Sequence, residues 1–317
     1  MEDFPRTLQE LEGRFATDAA CREYLLQIRW PEGIACSRCQ GREGWWTSRG
    51  LWACRKCGFQ VSVTAGTIFQ DNRSPLTQWF RAIWWMCSQK NGASALGLQR
   101  VLGLGSYQTA WAWLHKMRRA MVRPGRDRLS GTVEVDETYL GAPSGETRGR
   151  RAGNKALIVV AAQGDGVGIG RIRMRKIPDA SDASLWPFIH DAIEPGSVVQ
   201  TDGWQGYDSL SKSGYVHEVT TRKAGVSELL PRVHQVISLL KRWLMGTHQG
   251  AVSHAHLDYY LDEFTFRFNR RTSRSRGKLF FRLLQQGMAV DPAPYSTLVK
   301  HVRGPKAKNH KMLRSLE

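Results

Sequence analysis

The apolar positions change period along this chain, and those changes divide it. Up to about residue 31 they recur at helical spacing: Leu8, Leu11, Phe15, then residues 21–28. Helical spacing returns over 76–88, 94–102 and 107–121. The last two stretches are separated by Gly103-Leu104-Gly105, and Ser106 is placed to N-cap the third. In that third helix Trp111, Leu114, Met117 and Met121 form the apolar stripe, while Lys116, Arg118 and Arg119 fall elsewhere. Residues 124–128 read as a linker. Beyond them a period of two takes over at 132–140, 156–162 and 169–176, followed by a helix over 183–193 and a strand over 198–201. Val233, Val236, Ile237, Leu240 and Leu244 then trace one helix face, and Leu257, Tyr260, Leu261, Phe264 and Phe268 another.

Three strands in a meander, a helix and a fourth strand are the opening of a ribonuclease-H-like α/β fold. That order puts Asp136 at the end of the first, central strand and Asp202 at the end of the fourth, its neighbour. The carboxyl ends of adjacent strands are where such sheets build sites. Two carboxylates joined by a third ligand from a later helix form a divalent-metal site that can activate an oxygen nucleophile against a phosphodiester. The structural alternative is that each aspartate only caps a helix or closes a turn. Glu137 adjoins Asp136, but alternation along a strand turns it away.

Near the amino end, Cys36-Ser37-Arg38-Cys39 and Cys54-Arg55-Lys56-Cys57 repeat a CxxC pair across a hairpin-length gap. Each pair forms a knuckle with both thiolates on one side, and two knuckles complete a zinc tetrahedron. A redox CxxC competes, but the pairing favours structural zinc. Trp45, Trp46, Trp52 and Phe59 suit the short strands of a zinc ribbon. Cys21 and Cys87, on apolar helical stripes, read as buried thiols. The expected organisation is a helical segment to 31, a ribbon over 32–70, a helical DNA-binding region with helix-turn-helix character over 71–123 in which Lys116, Arg118 and Arg119 are expected to contact DNA, a catalytic domain over 129–290 and a basic tail over 291–317.

Composition narrows the partner. In 317 residues, 46 Lys and Arg face 28 Asp and Glu, a formal net charge of +18, with 41% hydrophobic residues. This is a globular chain suited to a polyanion. The apolar runs are too short to span a bilayer. Met1-Glu2-Asp3-Phe4 lacks the pattern of a secretory signal, so a reducing cytoplasm is expected, in contact with the nucleoid. Arg148, Arg150 and Arg151, in a glycine-softened loop between the first two core strands, are placed to follow a phosphate backbone. The basic residues 300–314 read as a flexible DNA-binding arm.

Val135-Asp136-Glu137-Thr138-Tyr139, Thr201-Asp202-Gly203-Trp204, Lys241-Arg242-Trp243-Leu244, Gly246-Thr247-His248 and Phe266-Arg267-Phe268-Asn269-Arg270-Arg271 occur in this order. Together with the CxxC pairs they resemble the zinc-ribbon DDE-type transposases of bacterial insertion sequences, the ISXO-type group. The resemblance implies an enzyme that binds terminal inverted repeats in double-stranded DNA, cuts the element's ends and joins them to target DNA. It also implies a dimer or larger assembly on DNA, away from membranes. Mg²⁺ is the implied cofactor, as two ions held by Asp136 and Asp202, with Mn²⁺ as substitute. The usual third residue is Glu; here His234 stands at that position, with Lys241 two turns on as a DNA-phosphate contact. Helical geometry puts His234 and Lys241 on one stripe, while Glu228 and the more distant Glu263 remain rival ligands. Arg270 and Arg271 either bind DNA or cap their helix. The alternative function is a hydrolysis-only or inactive DNA-binding derivative.

Overall fold

The computed structural model describes residues 3–123, 125–141, 155–220, 229–250 and 252–299. They form two compact units, Met1–Pro124 with Ser273–Glu317, and Gly125–Thr272. The first unit opens with α1 (Leu8–Arg14) and α2 (Asp18–Arg29), capped by Thr7 and Thr17, whose side chains accept from Glu10 N and Ala20 N. Three short antiparallel strands follow, β1 (Gly44–Trp46), β2 (Trp52–Cys54) and β3 (Gln60–Val61), in that spatial order. Helices α3 (Leu76–Ser88), α4 (Ala95–Leu102) and α5 (Tyr107–Ala120) come next, at the positions the spacing predicts. Gly103 ends α4 in the left-handed region at φ 61°. Ser106 stands at the N-cap of α5, but its hydroxyl donates to Gln108 Oε1 at 2.8 Å and makes no cap bond.

The second unit is one sheet with helices on both faces. Its strands are β4 (Thr132–Leu140), β5 (Ala156–Asp165), β6 (Gly168–Ile177), β7 (Val198–Thr201) and β8 (Val216–Val219), with α6 (Asp182–Ala192) between β6 and β7. The spatial order is β6-β5-β4-β7-β8. The first three are antiparallel, and β7 and β8 run parallel to β4. This is the ribonuclease-H-like arrangement with β4 at its centre. Strand β8 has no counterpart in the sequence reading. Its four residues, Val-His-Glu-Val, are mostly exposed at the sheet's edge and carry no buried stripe. Helix α6 covers the face bearing Val133, Val135, Val159 and Val199. The opposite face, with Leu140, Ile158, Val160 and Ala162, is covered by α7 (Pro231–His248) and α8 (Leu257–Phe268).

The remaining helices, α9 (Arg276–Ala289) and α10 (Tyr295–Val299), return to the first unit. Helix α9 packs on α2, α3 and α5. Phe280 meets Phe80 and Trp84 at ring separations of 5.6 and 5.8 Å. The expected catalytic-domain limit at residue 290 is therefore displaced to Thr272, because the apolar face of α9 is buried against the N-terminal helices.

Candidate active site

Alternation along β4 sorts its acids. Val133 and Val135 join the core under α6, whereas Glu134, Asp136 and Leu140 face α7. Asp136 is mid-strand, because β4 stays paired with β5 as far as Leu140. Strand β7 is shorter, and Asp202 is the first residue beyond it, as expected of a strand-end acid. The parallel register pairs Thr132 with Val198 and Glu134 with Gln200. The pairing ends there; extended by two residues it aligns Asp136 with Asp202 just past the end of β7, and the Asp202 charge is felt at Asp136. Gly203 follows at φ 80°, where an added Cβ would come within 2.7 Å of Val219 Cγ1. Trp204 N donates to Asp202 Oδ1 at 3.1 Å, and the indole N–H donates to Ala180 O at 2.7 Å. The Thr-Asp-Gly-Trp motif is thus a strand end, a carboxylate at that end, a tight turn and an anchor.

Helix α7 buries Val233, Val236, Ile237, Leu240 and Leu244, the predicted stripe. On the adjoining stripe His234 Nε2 donates to Asp136 Oδ2 at 3.1 Å, and Lys241 is exposed. Burial raises the pKa of Asp136 above the usual carboxylate value, and the Asp202 charge adds to this; the Glu137 amide and His234 act against it. Glu137 faces the other way and accepts from the Tyr207 hydroxyl at 2.9 Å. Burial, with the charges of Glu137, Asp136 and Asp202, pushes that phenol well above its ordinary range. Glu263 is buried and accepts from Arg267 Nε at 2.8 Å, so its carboxylate serves α8. Glu228 lies outside the described residues.

Sequence reasoning missed Glu134, a buried carboxylate that accepts from Val233 N at 2.9 Å and from Arg232 Nη1 at 3.0 Å. The available signal was an acid on the same strand face as Asp136, two residues before it.

The four ribbon cysteines converge, with all Sγ atoms within 4.8 Å of one another. Among the described residues no other group of three or more His, Cys, Asp or Glu is gathered so closely. Residues after each second cysteine take left-handed backbone, Gln40 at φ 59° and Gly58 at φ 69°, closing two equivalent knuckles. Burial disfavours the Cys36 thiolate, but the backbone N–H groups of Cys39 and Arg38, with the thiols of Cys57 and Cys39, outweigh it and bring the pKa down to about 7. At Cys39 the Gly41 N–H is outweighed by hydrogen bonding within the sulfur cluster, which pushes that thiol up. A compact, partly ionised sulfur set suits Zn²⁺. Trp52 packs beside Cys36, Cys54 and Val61, whereas Trp45, Trp46 and Phe59 are exposed.

Residues 128–269 match the model of the ISXO2-like transposase domain, and residues 16–60 that of the transposase zinc-ribbon domain. The chain belongs to this transposase family. An uncharacterized protein in transposable element ISH50 of Halobacterium salinarum is 27% identical over 289 residues, 83% of this chain and 94% of that protein. An uncharacterized transposase-like protein of Haemophilus influenzae is 26% identical over 112 residues, 34% of this chain and 89% of that protein. Among solved structures, a chain in the simian T-cell lymphotropic virus intasome bound to PP2A regulatory subunit B56 gamma shares 15% identity at a TM-score of 0.31. That likeness covers 59% of this chain and 70% of the other.

In this member of the transposase family, several side chains expected on DNA have other work. Arg118 is 1% exposed and donates to Ala93 O at 3.5 Å. Lys116 is half-buried, and burial lowers its pKa although Asp71 opposes this. Arg119 is also half-buried. The open surface of this region is instead Leu96, Arg100 and Val101 on α4 with Tyr107 and Gln108 at the start of α5. In the Phe266–Arg271 motif, Ile172 N donates to Asn269 Oδ1 at 2.7 Å, and Asn269 Nδ2 donates to Ile172 O at 3.2 Å. Arg271 donates to Phe268 O, Gly170 O and Ile169 O, and Arg270 to Phe266 O. The motif caps α8 and covers the open edge of β6, which favours the capping alternative over DNA contact. Arg148, Arg150 and Arg151 lie outside the described residues, as does the 300–314 tail.

Proposed function

We propose that this chain is a metal-dependent DNA transposase that binds terminal inverted repeats, cleaves element ends and joins the 3′ ends to target DNA. The observation that carries the reading is the β4–β7 register, which extended two residues beyond Glu134 and Gln200 aligns Asp136 with Asp202, together with the His234 imidazole on Asp136. The chemistry of the donors suits a divalent cation, although Asp136, Asp202 and His234 are not drawn within 4.8 Å of one another as the ribbon sulfurs are: the two carboxylates supply the hard oxygens Mg²⁺ prefers, and the imidazole adds a ligand Mn²⁺ accepts more readily. Bound Mg²⁺ would activate water, later a 3′-hydroxyl, and stabilise the leaving oxygen. Asp136 and Asp202 hold that charge at the sheet, His234 fixes the α7 side of the site, and Lys241 meets a phosphate near the scissile bond.

Charge supports the substrate assignment. Residues 72–126 carry nine Lys and Arg and no Asp or Glu, so the helical region suits a polyanion. End recognition falls to its open surface, with Arg100 on the phosphate backbone and Tyr107 and Gln108 toward base edges. Joining requires two ends held together, so the active species is a dimer or larger assembly on DNA. The test uses pre-cut ends from the DNA flanking the gene, incubated with Mg²⁺ and a target plasmid. Joined products are expected; cleavage of uncut ends without joining marks a hydrolase, and neither marks an inactive DNA-binding derivative.

A further inference from the structure

Glu134 is 2% exposed, and a carboxylate so placed carries a large desolvation cost. Its partners specify one geometry. Oε2 accepts from Val233 N at 2.9 Å and Oε1 from Arg232 Nη1 at 3.0 Å. Arg232 in turn donates through Nη2 to Gly166 O at 3.0 Å and through Nε to Gly168 O at 3.2 Å, at the turn joining β5 and β6. Helix α7 otherwise starts without a side-chain cap: Leu230 offers none, and Pro231 has no N–H. One strand acid therefore caps the helix and anchors its first arginine.

The next residue on the same face of β4, and the next residue along α7, form the site. Asp136 lies two positions past Glu134 on the same face of β4, and His234 directly follows Val233 on α7. Two strand acids thus face two consecutive helix residues, through bonds of 2.9 Å at Val233 N and 3.1 Å at His234 Nε2. Sliding α7 by one residue would turn it by about 100° and break both. Stability alone does not call for this arrangement, since an apolar residue fills a buried position as well as an ion pair.

We propose that Glu134 is a positioning residue: with Arg232 it registers α7 on β4 and so holds His234 against Asp136, where the cation binds. This rests on the functional reading above. It is tested by calorimetric Mn²⁺ titration of the full chain as wild type, E134Q, H234A and the double variant, with D136N as control. E134Q keeps size and one acceptor but loses the ion pair, and its Mn²⁺ affinity should fall about tenfold. Because Glu134 acts through His234, the double variant should bind no more weakly than the weaker single variant. R232K, which keeps charge but not the forked geometry, should weaken Mn²⁺ in the same direction and covers the case in which E134Q does not fold. Wild-type affinity in folded E134Q or in R232K, or losses that multiply in the double variant, would overturn the proposal while D136N still abolishes binding. Equal binding by wild type and D136N would instead sink the functional reading, and this inference with it.

Discussion

Asp136 is a residue whose charge the fold makes costly: burial and the neighbouring Asp202 hold its pKa above the ordinary value. The folded chain therefore keeps this proton to higher pH than the unfolded one. The stability this contributes is present at acid pH and is lost as pH rises through the raised value. At pH 7 in chelator, Asp136→Asn should accordingly melt above wild type. Added Mg²⁺ or Mn²⁺ should raise the wild-type Tm and leave the variant unchanged. Thermal melts with and without the ion check both signs, and a variant melting below wild type in chelator would contradict the first. Asp136 and Asp202 were legible in the sequence because each follows an apolar strand run. His234 was legible through its stripe with Lys241. Glu134 was not, because a polar residue in a strand looks like solvent-facing alternation until its partners, 98 and 99 positions away, are known.

At the scale of elements, the ribbon's two knuckles differ in the residue that turns each left-handed. Gln40 carries a Cβ cost that Gly58 does not, so Gln40→Gly should stabilise the zinc-bound ribbon by up to about 1 kcal/mol. The chelator concentration that releases zinc should rise with it. Metal analysis should find about one Zn²⁺ per chain, lost on replacing Cys36 and Cys39 with Ser. Helix α5 shows where helical spacing misleads. The apolar stripe was correct, but Arg118 is buried against Ala93, because other elements cover sides that a two-sided helix would leave wet. Arg118→Met should cost about 1–3 kcal/mol in urea unfolding. Tyr107→Ala with Gln108→Ala should leave stability nearly unchanged and weaken binding to the element's ends in gel shifts. The reverse pattern would restore α5's basic face as the DNA contact.

For the whole molecule, the chain leaves its first unit at residue 124 and re-enters it at 273. Local periodicity finds α9 but cannot say which core its apolar face will meet, which is why the domain limit was misplaced. Gly277 marks that return: an added Cβ would fall 1.7 Å from Pro5 O. Gly277→Ala should cost roughly 1–3 kcal/mol, read as a lower melting transition of the first unit while an isolated 125–272 fragment still unfolds cooperatively. The ribonuclease-H-like order was legible because β4 to β7 are long or apolar enough to show their period, unlike β8. The central claim, that Asp136 and Asp202 form the cation site for DNA cleavage, is tested most directly by nicking of the gene's flanking DNA. Wild type should nick at the element ends only with Mg²⁺ or Mn²⁺, and Asp202→Asn, folded and still binding those ends, should be slower by ~10³-fold or more. Nicking by Asp202→Asn at the wild-type rate, or wild-type nicking in chelator, would contradict the account.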